Sequence, residues 1–317
     1  MCIRDSDYAK KLVKEAVSNI DDSASEPVLK NLFPNLNEFA TKEEVLDSID
    51  SVTLDEVNAF YNYVMQNSMA KAVLTAPVEK NPALEQTVLN KLSQGQITFK
   101  PFKFDYFQCY EPIKEDLLLK KAEPRNQADI VQAFKFKTNY NPKDHAVFTL
   151  LNTILGGGPS SRLFEDLREK QKLAYRVESD ISYTGNTGVM TLAIKTTTDN
   201  PTENIQQYEN VKKSLDGFKS HIEKLKNEKV SQQELEAAKL RIKTKLLNTL
   251  ESSESQTIVL SASKDSPSGI DAVNKTLALV DEITPDDLQQ AARYIFDGKS
   301  ITSILASQNT LDNMNLG

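Results

Sequence analysis

The side chains with the clearest chemical capacity fall in one stretch, residues 155–175, which reads LGGGPSSRLFEDLREKQKLAY. Arg168 offers a guanidinium with forked donors, and Tyr175 offers a phenol with a single directed donor. Such groups can donate hydrogen bonds to oxygen acceptors. Gly156, Gly157 and Gly158 precede a helix start that carries Ser161. Without Cβ atoms a loop of this kind lets a substrate backbone come close, and the helix start supplies free N–H groups. A phosphate loop would need Gly-Lys-Ser/Thr at its end or the spaced glycines of a dinucleotide fold, and neither occurs. Taken as residue types alone, three glycines read equally well as a sharp turn, Arg168 as the partner of a surface carboxylate such as Glu165, and Tyr175 as half core.

The remaining candidates are few. The only histidines, His145 and His221, lie too far apart in sequence for a paired-histidine metal motif, and solvent-facing positions are expected for both. Arg162 is expected to pair with a nearby acid. Cys2 and Cys109 are the only cysteines, so no disulfide framework and no Cys-x-x-Cys site exists. The net charge of −7 and the dispersed basic residues exclude an electrostatic footprint for nucleic acid. No apolar run approaches the roughly 20 residues that cross a bilayer.

The elements that must position these residues can be read from periodicity. Ile130 to Phe136 reads as a strand with Ile130, Phe134 and Phe136 on one face. Pro142 opens a helix that runs to Leu155 and stops at the glycines. Tyr175 to Tyr183 and Val189 to Thr196 read as paired strands around a Gly-containing turn, with Met190, Leu192 and Ile194 lining one face. Ile205, Tyr208, Val211, Leu215, Phe218, Ile222 and Leu225 form one helical stripe. Ser231 to Glu234 has capping-box spacing at the start of another long helix. Strands mixed with many helices, without regular alternation, predict an α+β fold.

At 317 residues more than one domain is expected. An internal repeat bears on this. Residues 50–57, followed by Tyr63, Val64, Met65 and then Val73 and Leu74, realign on residues 281–288, Tyr294, Ile295, Phe296, Ile304 and Leu305 at one constant offset of 231. Each copy reads as a Thr-capped helix (Thr53 with Glu56, Thr284 with Asp287) and then a short strand. A chance match of two capped amphipathic helices is the plainer alternative.

The 155–175 stretch resembles the signature (L)GGG-x-SSRLF-x-x-(L/V)REK-x-x-LAY of the second, non-zinc domain of the pitrilysin/insulinase (M16) metallopeptidases. The match is continuous over about twenty positions, and the likeness extends over nearly the whole chain. It implies tandem M16 domains, each an antiparallel sheet covered by helices. The expected division is a non-native leader at 1–6, the C-terminal part of a preceding domain at 7–80, a linker with a short helix (Ala83 to Leu92) at 81–104, and a complete second domain at 105–317. In this family a His-x-x-Glu-His helix holds zinc. The corresponding positions here read Thr149, Leu150, Leu151, Asn152 and Thr153, which offer no imidazole and no general base. No metal site is therefore expected in this chain, and zinc is expected in the full-length protein. Glu15 lies where the first copy would supply a third zinc ligand, although a solvated helical glutamate fits the same position.

The resemblance further implies that Arg168 and Tyr175 reach toward the zinc site and act as catalytic clamps. Gly156, Gly157, Gly158 and Ser161 are the implied substrate-binding residues, since in processing-peptidase relatives a longer glycine loop contacts substrate. The implied partners are peptide substrates and a zinc domain or homologous active subunit. The implied function is the substrate-binding half of a peptidase that encloses peptides in a two-lobed chamber, inactive alone. The alternative is a zinc-free scaffold or partner subunit. A soluble chain is expected, with a cytoplasmic setting favoured over a periplasmic one.

Overall fold

The computed structural model describes residues 3–36, 39–67, 83–93, 108–139, 141–200, 205–263 and 272–316. Four helices come first: α1 (Ile3–Ser18), α2 (Ser25–Leu32), α3 (Lys42–Ile49) and α4 (Leu54–Asn67). A short α5 (Leu84–Ser93) falls where a linker helix is predicted. The remainder is β1 (Leu117–Ala122), β2 (Gln127–Lys137), α6 (Pro142–Leu155), a π-helical turn (Phe164–Lys170), β3 (Ala174–Thr184), β4 (Thr187–Thr197), the two-residue strands β5 (Asp199–Asn200) and β6 (Ile205–Gln206), α7 (Glu209–Asn227), α8 (Gln232–Thr249), α9 (Ser253–Ser263), α10 (Ala272–Glu282), α11 (Pro285–Phe296), β7 (Ser300–Ala306) and α12 (Gln308–Asn313).

Among the described residues, five strands form one sheet in the order β1-β7-β2-β4-β3, antiparallel throughout except for the parallel β1–β7 pair. This is the α+β architecture read from the sequence. Its centre is buried on both faces, so β2 shows a double pattern. Ile130, Phe134 and Phe136 enter one core with Met190, Leu192 and Ile194, under α6, α7, α10 and α11. The alternate residues Val131 and Ala133 enter a second, smaller core with Val189, Ile301 and Leu305.

That second core is closed by α2, through Val28 and Leu32, with Phe33 just past its end. Two buried charges of β2 bracket this helix. Asp129 (4% exposed) accepts from the Ala24 amide at 3.4 Å, at the helix start. Lys135 (8% exposed) donates to the Leu32 carbonyl at 2.7 Å, at the helix end, and lies 4.7 Å from the centre of the Phe33 ring. An anion at the N-terminus and a cation at the C-terminus match the helix dipole. The outer flank is further tied by Lys121 of β1, which pairs with Asp22 at 2.8 Å and Glu43 at 3.2 Å.

The 231-residue offset holds in the structure beyond the segments that suggested it. It brings α1, α2, α3 and α4 into register with α8, α9, α10 and α11. Both Thr-capped helices are seen with their reciprocal bonds, Thr53 with Glu56 and Thr284 with Asp287. The strand half of the first copy, with Val73 and Leu74, lies outside the described residues. The two copies differ in setting: Leu288, Ile295 and Phe296 of α11 are buried, whereas Val57, Phe60, Tyr61 and Met65 of α4 are exposed.

Two local expectations are corrected. The stripe predicted from Ile205 becomes helical only at Glu209, because Ile205 pairs in a strand with Asn200 and Tyr208 is the N-cap. At Ser231 only half of the capping box forms. Ser231 accepts from the Glu234 amide, but the Glu234 carboxylate is drawn away by Arg162.

Candidate functional site

The stretch singled out in sequence occupies the rim where α6 hands over to edge strand β3. α6 ends at Gly156, whose carbonyl accepts from the Ser179 amide of β3 at 3.2 Å. A Cβ at Gly156 would run into the backbone of Glu178 and Ser179, so this glycine is required by the close approach of two chain segments. Gly158 has φ +150° with open space beyond it, and Gly157 is exposed. Ser161 is turned inward, wholly buried, and its Oγ donates to the Gly158 carbonyl at 2.6 Å. Of the four candidate substrate-binding residues, Gly157 and Gly158 face solvent, while Gly156 and Ser161 hold the loop in shape. Across the loop, Arg241 of α8 donates to Ser160 Oγ at 2.6 Å, beside an open groove of about 630 Å³ lined by Leu240, Arg241, Thr244 and Asn248.

Arg162 makes a fork-to-fork pair with Glu234, both bonds 2.8 Å, which fixes the helix start against α8 as expected. The chain then winds into a π-helical turn rather than an ordinary α-helix. Leu163 and Leu167 are buried in the main core, and the widened turn is closed by the Gln171 amide on the Asp166 carbonyl at 2.9 Å. Lys172 has φ 54°, a left-handed conformation rare for a residue with a Cβ. The Leu173 amide then reaches back to the Leu167 carbonyl at 2.9 Å, a helix ending like a Schellman motif but one residue wider. β3 begins with a bulge: Ala174 opposes Thr196 and Arg176 opposes Lys195, leaving Tyr175 as the extra residue. The bulge re-aims Tyr175 outward, where it is 82% exposed.

These three irregularities bring Arg168 and Tyr175 together. The Arg168 guanidinium carbon lies 4.9 Å from the centre of the Tyr175 ring and 4.4 Å from that of Phe164. Arg168 is thus stacked against two aromatic rings, with Glu169 at 3.5 Å as its carboxylate neighbour. Stacking restricts the guanidinium plane yet leaves N–H donors at its edge for a ligand. Phe164 is a neighbour of Arg168 that the sequence reading missed. Its position four residues before Arg168, on one helical face, was the available signal.

Both histidines differ from the solvent-facing expectation. His145 stacks on Tyr183 with ring centres 4.1 Å apart, and burial pulls its pKa below the ordinary histidine value. His221 is buried, its Nε2 is 2.7 Å from Asp166 Oδ2, and burial likewise lowers its pKa. The α6 positions that correspond to the zinc helix do not fit a metal: Leu150 and Leu151 are core residues, and Asn152 Oδ1 accepts from Ser179 Oγ at 2.6 Å. Among the described residues no group of three His, Cys, Asp or Glu side chains could hold a metal ion. Glu15 lies on α1, solvent-exposed and 3.8 Å from Lys11. No helix of the described residues is long and apolar enough to cross a membrane.

The architecture is therefore an α+β domain whose glycine loop, π-helical turn and bulged edge strand converge on one rim. A family model described as "Peptidase M16 inactive domain" matches residues 51–242, and the chain belongs to that family. It is 28% identical over 162 residues to a "Non-peptidase homolog YmxG" of Helicobacter pylori, covering 50% of this chain and 36% of that protein. It is 30% identical over 156 residues to an "Uncharacterized zinc protease" of Rickettsia felis, covering 49% of this chain and 35% of that protein. The matched part of the chain thus spans about a third of each of these relatives. In fold it is similar to a crystal structure of a peptidase M16 inactive domain from Pseudomonas fluorescens, with a TM-score of 0.75 at 19% identity, over 97% of this chain and 71% of that one.

Proposed function

We propose that this chain is the substrate-binding, non-zinc half of an M16 peptidase, and that Arg168 and Tyr175 clamp the backbone of an extended peptide. The observation that carries the reading is their juxtaposition on an exposed rim by a π-turn, a left-handed lysine and a bulge. Unusual backbone of this kind costs free energy and concentrates at functional sites. Arg168 would hold a substrate carbonyl, and the Tyr175 hydroxyl would donate to the oxygen that gains charge during peptide hydrolysis. Gly157 and Gly158 would let the backbone pass close to the loop. In this reading the metal and the general base belong to a separate preceding domain or active subunit, with residues 7–80 belonging to such a domain and 105–317 to the second one. This chain alone would then cleave nothing.

The test is binding of a fluorescein-labelled unstructured peptide, followed by anisotropy. Arg168→Ala should weaken binding by about tenfold or more, as expected for a hydrogen bond to a charged group, and Arg168→Lys should restore part of it. Equal affinity of the parent and Arg168→Ala overturns the clamp. The second reading, a zinc-free scaffold or partner subunit, is supported by the "Non-peptidase homolog" name of the Helicobacter pylori relative. Mixing the chain with a zinc-bearing M16 subunit separates the two: gained peptide cleavage supports the first, and a stable complex without gained cleavage supports the second.

A further inference from the structure

We propose that Asp166 and His221 form a positioning pair that holds the π-helical turn in the register at which Arg168 meets Tyr175. The functional weight of the pair rests on the clamp reading, but its structural action does not. A π-helix is disfavoured relative to an α-helix and persists only where its surroundings impose it. Asp166 is where those surroundings act. Its backbone carbonyl accepts from the Gln171 amide at 2.9 Å, which is the bond that widens the turn. Its Oδ1 accepts from the Gln171 side chain at 3.1 Å, clamping the two ends of the turn, and its Oδ2 meets His221 Nε2 at 2.7 Å. One residue thereby ties the start of the turn to its end and to α7.

The contact with α7 is continued beside it. Gly217, one turn before His221, lies so close to Leu167 that a Cβ there would run into the leucine side chain. The two helices are seated at an apolar notch and locked by a polar bond at its edge. The charge states agree with this role. Burial holds His221 neutral, against the pull of Asp166, while Lys224 and Arg162 oppose a further positive charge on the ring. Burial acts to raise the Asp166 pKa, and its bonds from Gln171 and His221 outweigh that, leaving it lowered. The neutral imidazole then carries its proton on Nε2 and donates to an ionised carboxylate, a charge-assisted bond. Without that bond the turn can relax toward α-helical winding. Removing the extra residue rotates the downstream chain by about 100° and takes Arg168 off the Tyr175 ring.

The pair is tested with His221→Leu, which keeps volume but removes the donor, and His221→Gln, whose amide can still donate to Asp166. Stacking of Arg168 on Phe164 and Tyr175 should shift its side-chain proton resonances upfield by ring current, which gives a readout independent of peptide. His221→Leu should abolish that shift while core methyl resonances such as those of Leu151 and Ile194 stay in place, and His221→Gln should retain it. In peptide binding, His221→Leu should weaken affinity about fivefold to tenfold in the parent and add nothing in an Arg168→Ala background, the mark of action through Arg168. An unchanged ring-current shift in His221→Leu overturns the proposal, as does an equal loss of affinity in both backgrounds. A chain that binds no peptide at all would sink the clamp reading, and the resonance shift would still decide the positioning pair. Should His221→Leu fail to fold, Asp166→Ala at a partly exposed position replaces it, since it removes the other half of the pair, and an unchanged shift there overturns the proposal.

Discussion

The docking of α2 on the outer face of the sheet makes a prediction that can be worked from its parts. Lys135→Met keeps most of the side-chain volume and removes the ammonium. Lost are a charged hydrogen bond to the Leu32 carbonyl, worth about 1.5–3 kcal/mol, and the contact with Phe33, worth about 1 kcal/mol. The interaction of the cation with the helix C-terminus adds about 0.5 kcal/mol. Against these stands the cost of keeping an ammonium out of water, several kcal/mol for a fully buried ion and less here. Its presence is seen in the Lys135 pKa, which burial holds below the usual lysine value. The balance should leave Lys135→Met destabilised by about 1–2 kcal/mol, a large effect for one side chain. The assay is urea unfolding combined with amide hydrogen exchange. Protection of the Val28 to Leu32 amides should fall first, while amides of β4 and α6 keep theirs. If the variant is more stable than the parent by about 1 kcal/mol, or if α2 keeps full protection, the helix is held by its apolar contacts alone and the charge-bracketing argument fails.

Two further predictions concern the same framework. Hydrogen bonding with Lys121 and Glu123, reinforced by the charges of Lys121 and Lys42, lowers the Asp22 pKa from 3.8 to about 2, so its folded-state value lies below its unfolded one. The stability it contributes, about 1–2 kcal/mol after allowing for solvent screening at Lys121, is then present above about pH 4 and lost as pH falls toward about 2. Asp22→Asn should flatten that part of the acid-unfolding curve, and an unchanged curve counts against the pairing. Gly156→Ala should cost about 2–4 kcal/mol, because the added methyl meets backbone rather than a movable side chain. Thermal unfolding within about 2 °C of the parent, against the several degrees such a loss implies, would show that the loop can shift freely.

Much of the fold was legible because its strands and helices carry regular patterns. The alternation of Ile130, Phe134 and Phe136 and of Met190, Leu192 and Ile194 gave the two central strands and their inner face. Pro142 marked the start of α6, and threonine caps marked two more helices. β1 was not legible. Its sequence LLLKKA shows no clean alternation, and its parallel partner β7 lies about 180 residues away. Nor could the seating of α2 be foreseen, since nothing in the sequence pattern of β2 marks Asp129 and Lys135 as buried until a helix is placed between them. At the candidate site, the residue types were visible but the backbone was not. A π-turn, a left-handed Lys172 and a bulge at Tyr175 arise from packing on β3 and α7, not from local propensity. The histidines were misjudged for a related reason. A lone histidine on a charged helix looks solvated, and only the fold brings Asp166 against His221.

The central claim is that the Tyr175 hydroxyl acts on a developing oxyanion while Arg168 holds the substrate backbone. The most direct measurement is steady-state peptide hydrolysis by this chain reconstituted with a zinc-bearing M16 half, comparing the parent with Tyr175→Phe. A donor used mainly in the transition state lowers kcat with little change in KM. The account predicts a loss of about 10²–10³ in kcat, the typical effect of removing one such donor, with KM within about threefold. Full turnover in the Phe variant would contradict it and return Tyr175 to the role of a stacking partner for Arg168.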